Sequence, residues 1–191
     1  MKKHFLSVED FKRYIPRVKC INLFHYNLIG TPKLEEVSRV EKLRYEEPAE
    51  LESLQDDKLA WYVNDRDEPV SWNAEHARNL AVGEQASRLL ARPEAMEGHI
   101  RDMVDSLRGG LTNTLELVSV YDTILRERVI VDGLVRAVAL LYLYRAEPET
   151  VQRLFRSEYE ICSVVYTSPA GSLLFPCDFI NILREYDSGS R

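Results

Sequence analysis

Leu115 to Arg145 reads LELVSVYDTILRERVIVDGLVRAVALLYLYR, and its change of period decides the fold. Leu115 to Tyr121 and Arg128 to Val131 are extended, apolar runs rich in β-branched residues. A polar turn at Asp122-Thr123 joins them, which predicts a hairpin or two neighbouring strands. The second run passes through Asp132-Gly133 directly into Leu134 to Arg145, where Val135, Val138, Ala139, Leu141, Tyr142 and Leu143 leave little polar surface. A helix apolar on most sides belongs deep against a sheet. Strands feeding a core helix in this way predict an α+β fold, a small mixed sheet with packed helices.

Upstream, Met96, Ile100, Met103, Val104 and Leu107 recur at the spacing of one buried helical stripe, and Gly109-Gly110 supplies a stop. A helix is also expected from about Asn73, with Ala77, Leu80, Ala81, Ala86, Leu89 and Leu90 on one face and Gly83 as a weak point inside it. Downstream, Pro148 starts a short helix through Phe155, Tyr159 to Tyr166 reads as a strand, and Asp178 to Tyr186 as a closing helix. Nearer the N-terminus, Ser7 to Tyr14 predicts a short helix and Val18 to Ile29 an extended segment. Residues 33–76 carry no clear period, with Pro48 and Pro69 breaking it and Leu54, Leu59, Trp61, Tyr62 and Trp72 as anchors. The expected organisation is a single domain over 1–191, made of an N-terminal elaboration, 1–92, and a core, 93–186.

The chain has 191 residues, 45% hydrophobic and 29% charged, which is a globular balance. Its net charge of −6 argues against general nucleic-acid affinity, since phosphates need a basic face. A short basic arm is nevertheless present: residues 1–20 carry Lys2, Lys3, Lys12, Arg13, Arg17 and Lys19 against Glu9 and Asp10. Cys20, Cys162 and Cys177 form no C-x-x-C pair, so reduced thiols in a cytoplasmic protein are expected. No signal peptide or membrane-spanning run is read. His4, His25, His76 and His99 lack the spacing of a zinc site, and no metal-ligating set is assigned.

Chemistry concentrates at the strand-to-helix turn Val131-Asp132-Gly133-Leu134-Val135-Arg136. First-turn amides of a helix and its dipole favour an anion. Gly133 would let a ligand approach the backbone, and Arg136 could fork onto a phosphate or carboxylate. The competing reading is a tight turn in which Arg136 makes a salt bridge.

The stretch His99 to Leu141 resembles the ParB/sulfiredoxin-like superfamily. Ser106-Leu107-Arg108-Gly109-Gly110 stands at that family's first turn, and Asp132-Gly133-Leu134-Val135-Arg136 followed by Ala139-Leu140 at its Gly-x-x-Arg turn. The resemblance, over roughly 93–186, implies a nucleotide or other phosphorylated ligand at Gly133, Leu134 and Arg136. Sulfiredoxins carry Gly-Cys-His-Arg, so Leu134 and Val135 replace the thiol and the histidine, and reductase chemistry is not expected. Partition ParB proteins carry Gly-Glu-Arg-Arg at that turn and a helix-turn-helix domain after it, and Leu134 and Val135 depart from that pattern, so a DNA-segregation clamp is not expected.

What remains is a phosphate-anchoring turn, and with it phosphate transfer to a small hydroxyl compound, or nucleotide hydrolysis, using magnesium brought with a nucleotide. Asp132, Glu116 and Asp102 are the candidate catalytic residues for holding metal and accepting a proton. One alternative is a non-catalytic regulatory or interaction module with a decayed site, its protein partner meeting the N-terminal half. Another is a ParB-like nuclease using the basic arm.

Overall fold

The computed structural model describes residues 1–6, 39–66, 68, 76, 78–122 and 126–168. Strands β1 (Lys2–Leu6), β2 (Arg39–Tyr45), β3 (Lys58–Val63), β4 (Arg78–Ala81), β5 (Leu115–Asp122), β6 (Glu127–Asp132) and β7 (Ile161–Ser168) form one seven-stranded sheet. Its order is β1-β2-β7-β5-β6-β3-β4. The helices are α1 (Val82–Ala91), α2 (Gly98–Arg108), α3 (Leu134–Ala146) and α4 (Pro148–Phe155), with 3-10 turns at Pro48–Leu54 and Pro93–Ala95. The protein is thus mixed α+β. The expected helix over Ser7 to Tyr14, the segment Val18 to Ile29 and the closing helix Asp178 to Tyr186 lie outside the described residues.

β5 and β6 pair antiparallel, from Val118↔Asp132 to Asp122↔Glu127, in keeping with the expected hairpin or neighbouring strands. β7 returns parallel to β5 after α3 and α4, and β3 lies parallel to β6. The central strands β7, β5 and β6 come from the C-terminal half. Strands from the first 92 residues extend the sheet on both sides, so it is larger than the small sheet expected. Lys2 to Leu6 of the basic arm is β1, paired in register from Lys2↔Arg44 to Leu6↔Val40.

One face of the sheet receives the helices. Leu59, Leu115, Leu117, Ile130 and Ile161 meet a core built on α3, whose residues Ala137 to Leu143 are all buried. α3 is apolar all round because it packs against α1, α2, α4 and the Pro48–Leu54 turn as well as the sheet. The expected stripe on α2 is buried at Ile100, Val104 and Leu107, and the helix stops where Gly110 takes φ 102°. No helix among the described residues is long and apolar enough to cross a membrane.

The helix expected from about Asn73 starts later. Arg78 to Ala81 is the strand β4, antiparallel to β3 with Lys58↔Ala81 and Val63↔Arg78, and α1 begins at Val82. Two side chains set this boundary. Asn79 Nδ2 donates to the Leu59 carbonyl at 2.9 Å, holding the strand, and Glu84 accepts from the Ala81 amide at 3.1 Å, starting the helix. Gly83 is therefore in the first turn rather than mid-helix. A Cβ there would lie 2.8 Å from the Gln55 carbonyl oxygen, so glycine permits α1 to close on the 3-10 turn.

Candidate functional site

β6 ends at Asp132, and Gly133 turns the chain into α3 through φ 82°, ψ 22°, a left-handed conformation that costs a glycine little. This turn lets Arg136, one helical turn later, fold back over the strand end. Its Nη1 donates to the Glu116 carbonyl at 2.7 Å and its Nη2 to Asp132 Oδ2 at 2.9 Å. A Cβ on Gly133 would lie 2.8 Å from Leu117 Cδ2 and 3.3 Å from Arg136 Nε. The space the glycine leaves is occupied by its own neighbours.

Asp132, Gly133 and Arg136 therefore lie together at the turn, with the guanidinium held at two points. Leu134 and Val135 are partly buried against the hydrophobic core. Glu116 joins the group through its backbone carbonyl, while its carboxylate lies 3.8 Å from Lys42 Nζ. Lys42 also pairs with Glu160 at 3.1 Å, and this contact holds the Glu160 carboxyl below its usual range. Asp102 is exposed on α2, and among the described residues no hydrogen bond or ion pair joins it to Asp132 or Glu116. Cys162, at the same sheet position as Glu116 in the β5–β7 register, is fully buried, and burial pushes its thiol up to about 12. It is no nucleophile at neutral pH.

Among the described residues no group of three or more His, Cys, Asp or Glu is placed to hold a metal ion. The turn supplies a single carboxylate, Asp132, already paired with Arg136.

The sequence gives no local sign of a second constellation. A cavity of about 660 Å³ is lined by residues of β1, β2, β5, β6 and β7 together with Ser53 and Asp57. Arg128 on β6 and Asp57, just before β3, stand at one side of it. Arg128 Nε donates to Asp57 Oδ1 at 2.7 Å, and its terminal nitrogen lies 2.5 Å from Oδ2. Burial raises the Asp57 carboxyl to about 6 against the opposing pull of Arg128. Tyr45 lies in the field of both charges, its phenol pushed up to about 12 by burial. Asp57 and Arg128 are 71 residues apart in sequence, so no motif spacing could have joined them.

No protein-family model, curated protein or solved structure matches the chain.

Proposed function

We propose that the protein binds a phosphorylated small molecule, with nucleotides as the leading candidates, at the turn from Asp132 to Arg136, in the manner that its resemblance to the ParB/sulfiredoxin-like superfamily implies. The observation that carries this reading is the fixed guanidinium. Asp132 and the Glu116 carbonyl use one N–H on each terminal nitrogen of Arg136 and orient the fork at the N-terminus of a thirteen-residue helix. Arginine has five N–H groups, so others remain for a phosphate oxygen beside the first-turn amides.

Phosphoryl transfer would need carboxylates gathered round the transferred group. Glu116 turns its carboxylate toward Lys42, and Asp102 lies apart on α2, so the geometry favours binding over turnover. Magnesium, in this reading, arrives already complexed by the nucleotide.

A second reading, a non-catalytic interaction module, is favoured by a different observation. Leu134 and Val135 pack on the core, and Arg136 closes on Asp132, as a purely structural latch would.

Thermal unfolding of the wild type and of Arg136→Ala, each with and without ATP, ADP, CTP or GTP and with and without magnesium, separates the two readings. A midpoint rise in the wild type that disappears in the variant supports the phosphate site. No rise with any nucleotide in the wild type rejects it in favour of the module.

A further inference from the structure

We propose that the cavity beside Asp57 and Arg128 is a second ligand site, which takes a small carboxylate with an apolar body when Asp57 carries a proton and excludes it when Asp57 is ionised. Both residues line the cavity. Arg128 on β6 pairs in register with Tyr121 on β5, and Tyr121 with Thr167 on β7, so these side chains emerge on one face of three adjacent strands. At about 660 Å³ the space is in the range that small-molecule sites occupy.

With Asp57 ionised the pair is closed on itself. Arg128 Nε donates to Oδ1 at 2.7 Å and its terminal nitrogen lies 2.5 Å from Oδ2, so an anion brought to the guanidinium would stand beside a buried carboxylate and be repelled. Among the described residues Oδ2 accepts no aligned hydrogen bond, which makes it the oxygen that takes a proton from solvent. That proton removes the competing charge and turns Asp57 from an acceptor into a donor. A ligand carboxylate then meets the Arg128 fork and the Asp57 hydroxyl together. Burial places the exchange near pH 6.

The surrounding charges are answered in either state. Asp56, the neighbour of Asp57, is exposed, and Tyr45 on β2 has its phenol pushed up to about 12 and stays neutral. Glu41 on β2 lies 3.8 Å from Lys3 on β1, and the Met1 ammonium pairs with Glu50 of the 3-10 turn. Protonation of Asp57 therefore leaves one added positive charge, on Arg128, for a monoanion to balance. Leu43 and Val165, both nearly buried, and Tyr121 line the same space and would receive the ligand's apolar body. The site shares no residue with the turn at Asp132 to Arg136, where Asp132 meets the guanidinium through a single oxygen and the first-turn amides stand beside it.

Isothermal titration of the full chain with phenylacetate at about pH 6 and about pH 8 tests the proposal. Asp57, with its carboxyl at about 6, is half protonated at the lower pH and roughly 1% protonated at the higher, so affinity should fall on the order of fiftyfold between them. Binding at about pH 8 should also take up close to one proton, read from the heats in two buffers of different ionisation enthalpy. 2-Phenylethylamine, the charge-reversed counterpart, should not bind at either pH. Asp57→Asn, which stands for the protonated form, should bind phenylacetate alike at both. Arg128→Met should abolish binding. Val165→Phe, which fills the floor without touching the pair, should weaken it roughly tenfold or more and serves if Arg128→Met fails to fold. Arg136→Ala should bind phenylacetate as the wild type does, separating this site from the nucleotide reading. Absence of binding to the wild type at about pH 6, equal wild-type affinity at the two pH values, undiminished binding to Val165→Phe, or binding of the amine as tight as that of the acid would each overturn it.

Discussion

Arg128 on β6 holds Asp57, the residue before β3, at both carboxylate oxygens, 2.7 Å from Nε and 2.5 Å from the terminal nitrogen. The Asp57 carbonyl in turn accepts the Val82 amide at 2.9 Å. One residue thus links β6, β3 and the start of α1. The strand pair it reinforces is short, with Lys58↔Val129 and Leu59↔Ile130 in parallel register. This is the seam between the strands of the C-terminal half and those of the N-terminal half on that side.

Arg128→Met keeps the aliphatic stem and removes the charge. A buried carboxylate left without its partner is costly, so the variant should lose about 3 kcal/mol or more in urea-induced unfolding. A loss under about 0.5 kcal/mol would mean that the seam is held by the strand hydrogen bonds alone.

The same pair makes a pH prediction with a definite sign. Burial raises Asp57 from its ordinary 3.8 to about 6 in the folded protein, so the folded state binds this proton more tightly than the unfolded state. The stability it contributes is complete below about pH 4 and is lost as pH rises through about 6. At 1.36 kcal/mol per unit the loss is on the order of 3 kcal/mol. Asp57→Asn cannot titrate, so wild-type stability minus variant stability, followed from pH 4 to 7, isolates the group. The difference should fall with pH, and a rise would show that the Arg128 attraction outweighs burial.

Ser119 on β5 and Ser163 on β7 are both fully buried, with their hydroxyl oxygens 3.2 Å apart. Replacing one strands the other in an apolar setting, whereas replacing both leaves no polar group to satisfy. Ser163→Ala should cost about 1 kcal/mol in chemical unfolding, and Ser119→Ala with Ser163→Ala together should cost less than the two single changes added. Strict additivity would mean that the hydroxyls do not interact.

Much of the central fold is legible in the sequence because its signals are local. The runs on β5 and β6, the apolar surface of α3 and the stripe on α2 each report their own periodicity. β2 is not legible in this way. Leu43 and Tyr45 are buried, but Lys42 before them and Arg44 between them give the run a charged, loop-like look, and the partner of both, Glu160, lies on a distant part of the chain. β4 is misread for a related reason. Leu80 and Ala81 continue the helical spacing of Ala86 and Leu89, and only pairing with β3 draws them into a strand. At the turn, the sequence identifies the residues that meet, Asp132, Gly133 and Arg136. It does not reveal that Glu116 takes part through its carbonyl, because backbone participation leaves no mark on residue type.

Gly133→Ala tests how far the turn depends on its missing side chain. At φ 82° an alanine pays a left-handed penalty of about 1 to 2 kcal/mol, and its Cβ would lie 2.8 Å from Leu117 Cδ2. Leu117 is fully buried and cannot withdraw freely, so the added methyl must displace either Leu117 or the start of α3. Either movement shifts Arg136, whose Nε lies 3.3 Å from the same point, away from Asp132 and the Glu116 carbonyl. A total loss of about 3 kcal/mol in urea-induced unfolding is expected. If the turn binds phosphate, the nucleotide-dependent rise in midpoint should vanish in this variant even at temperatures where it remains folded. Retention of that rise would locate the phosphate contact away from the turn.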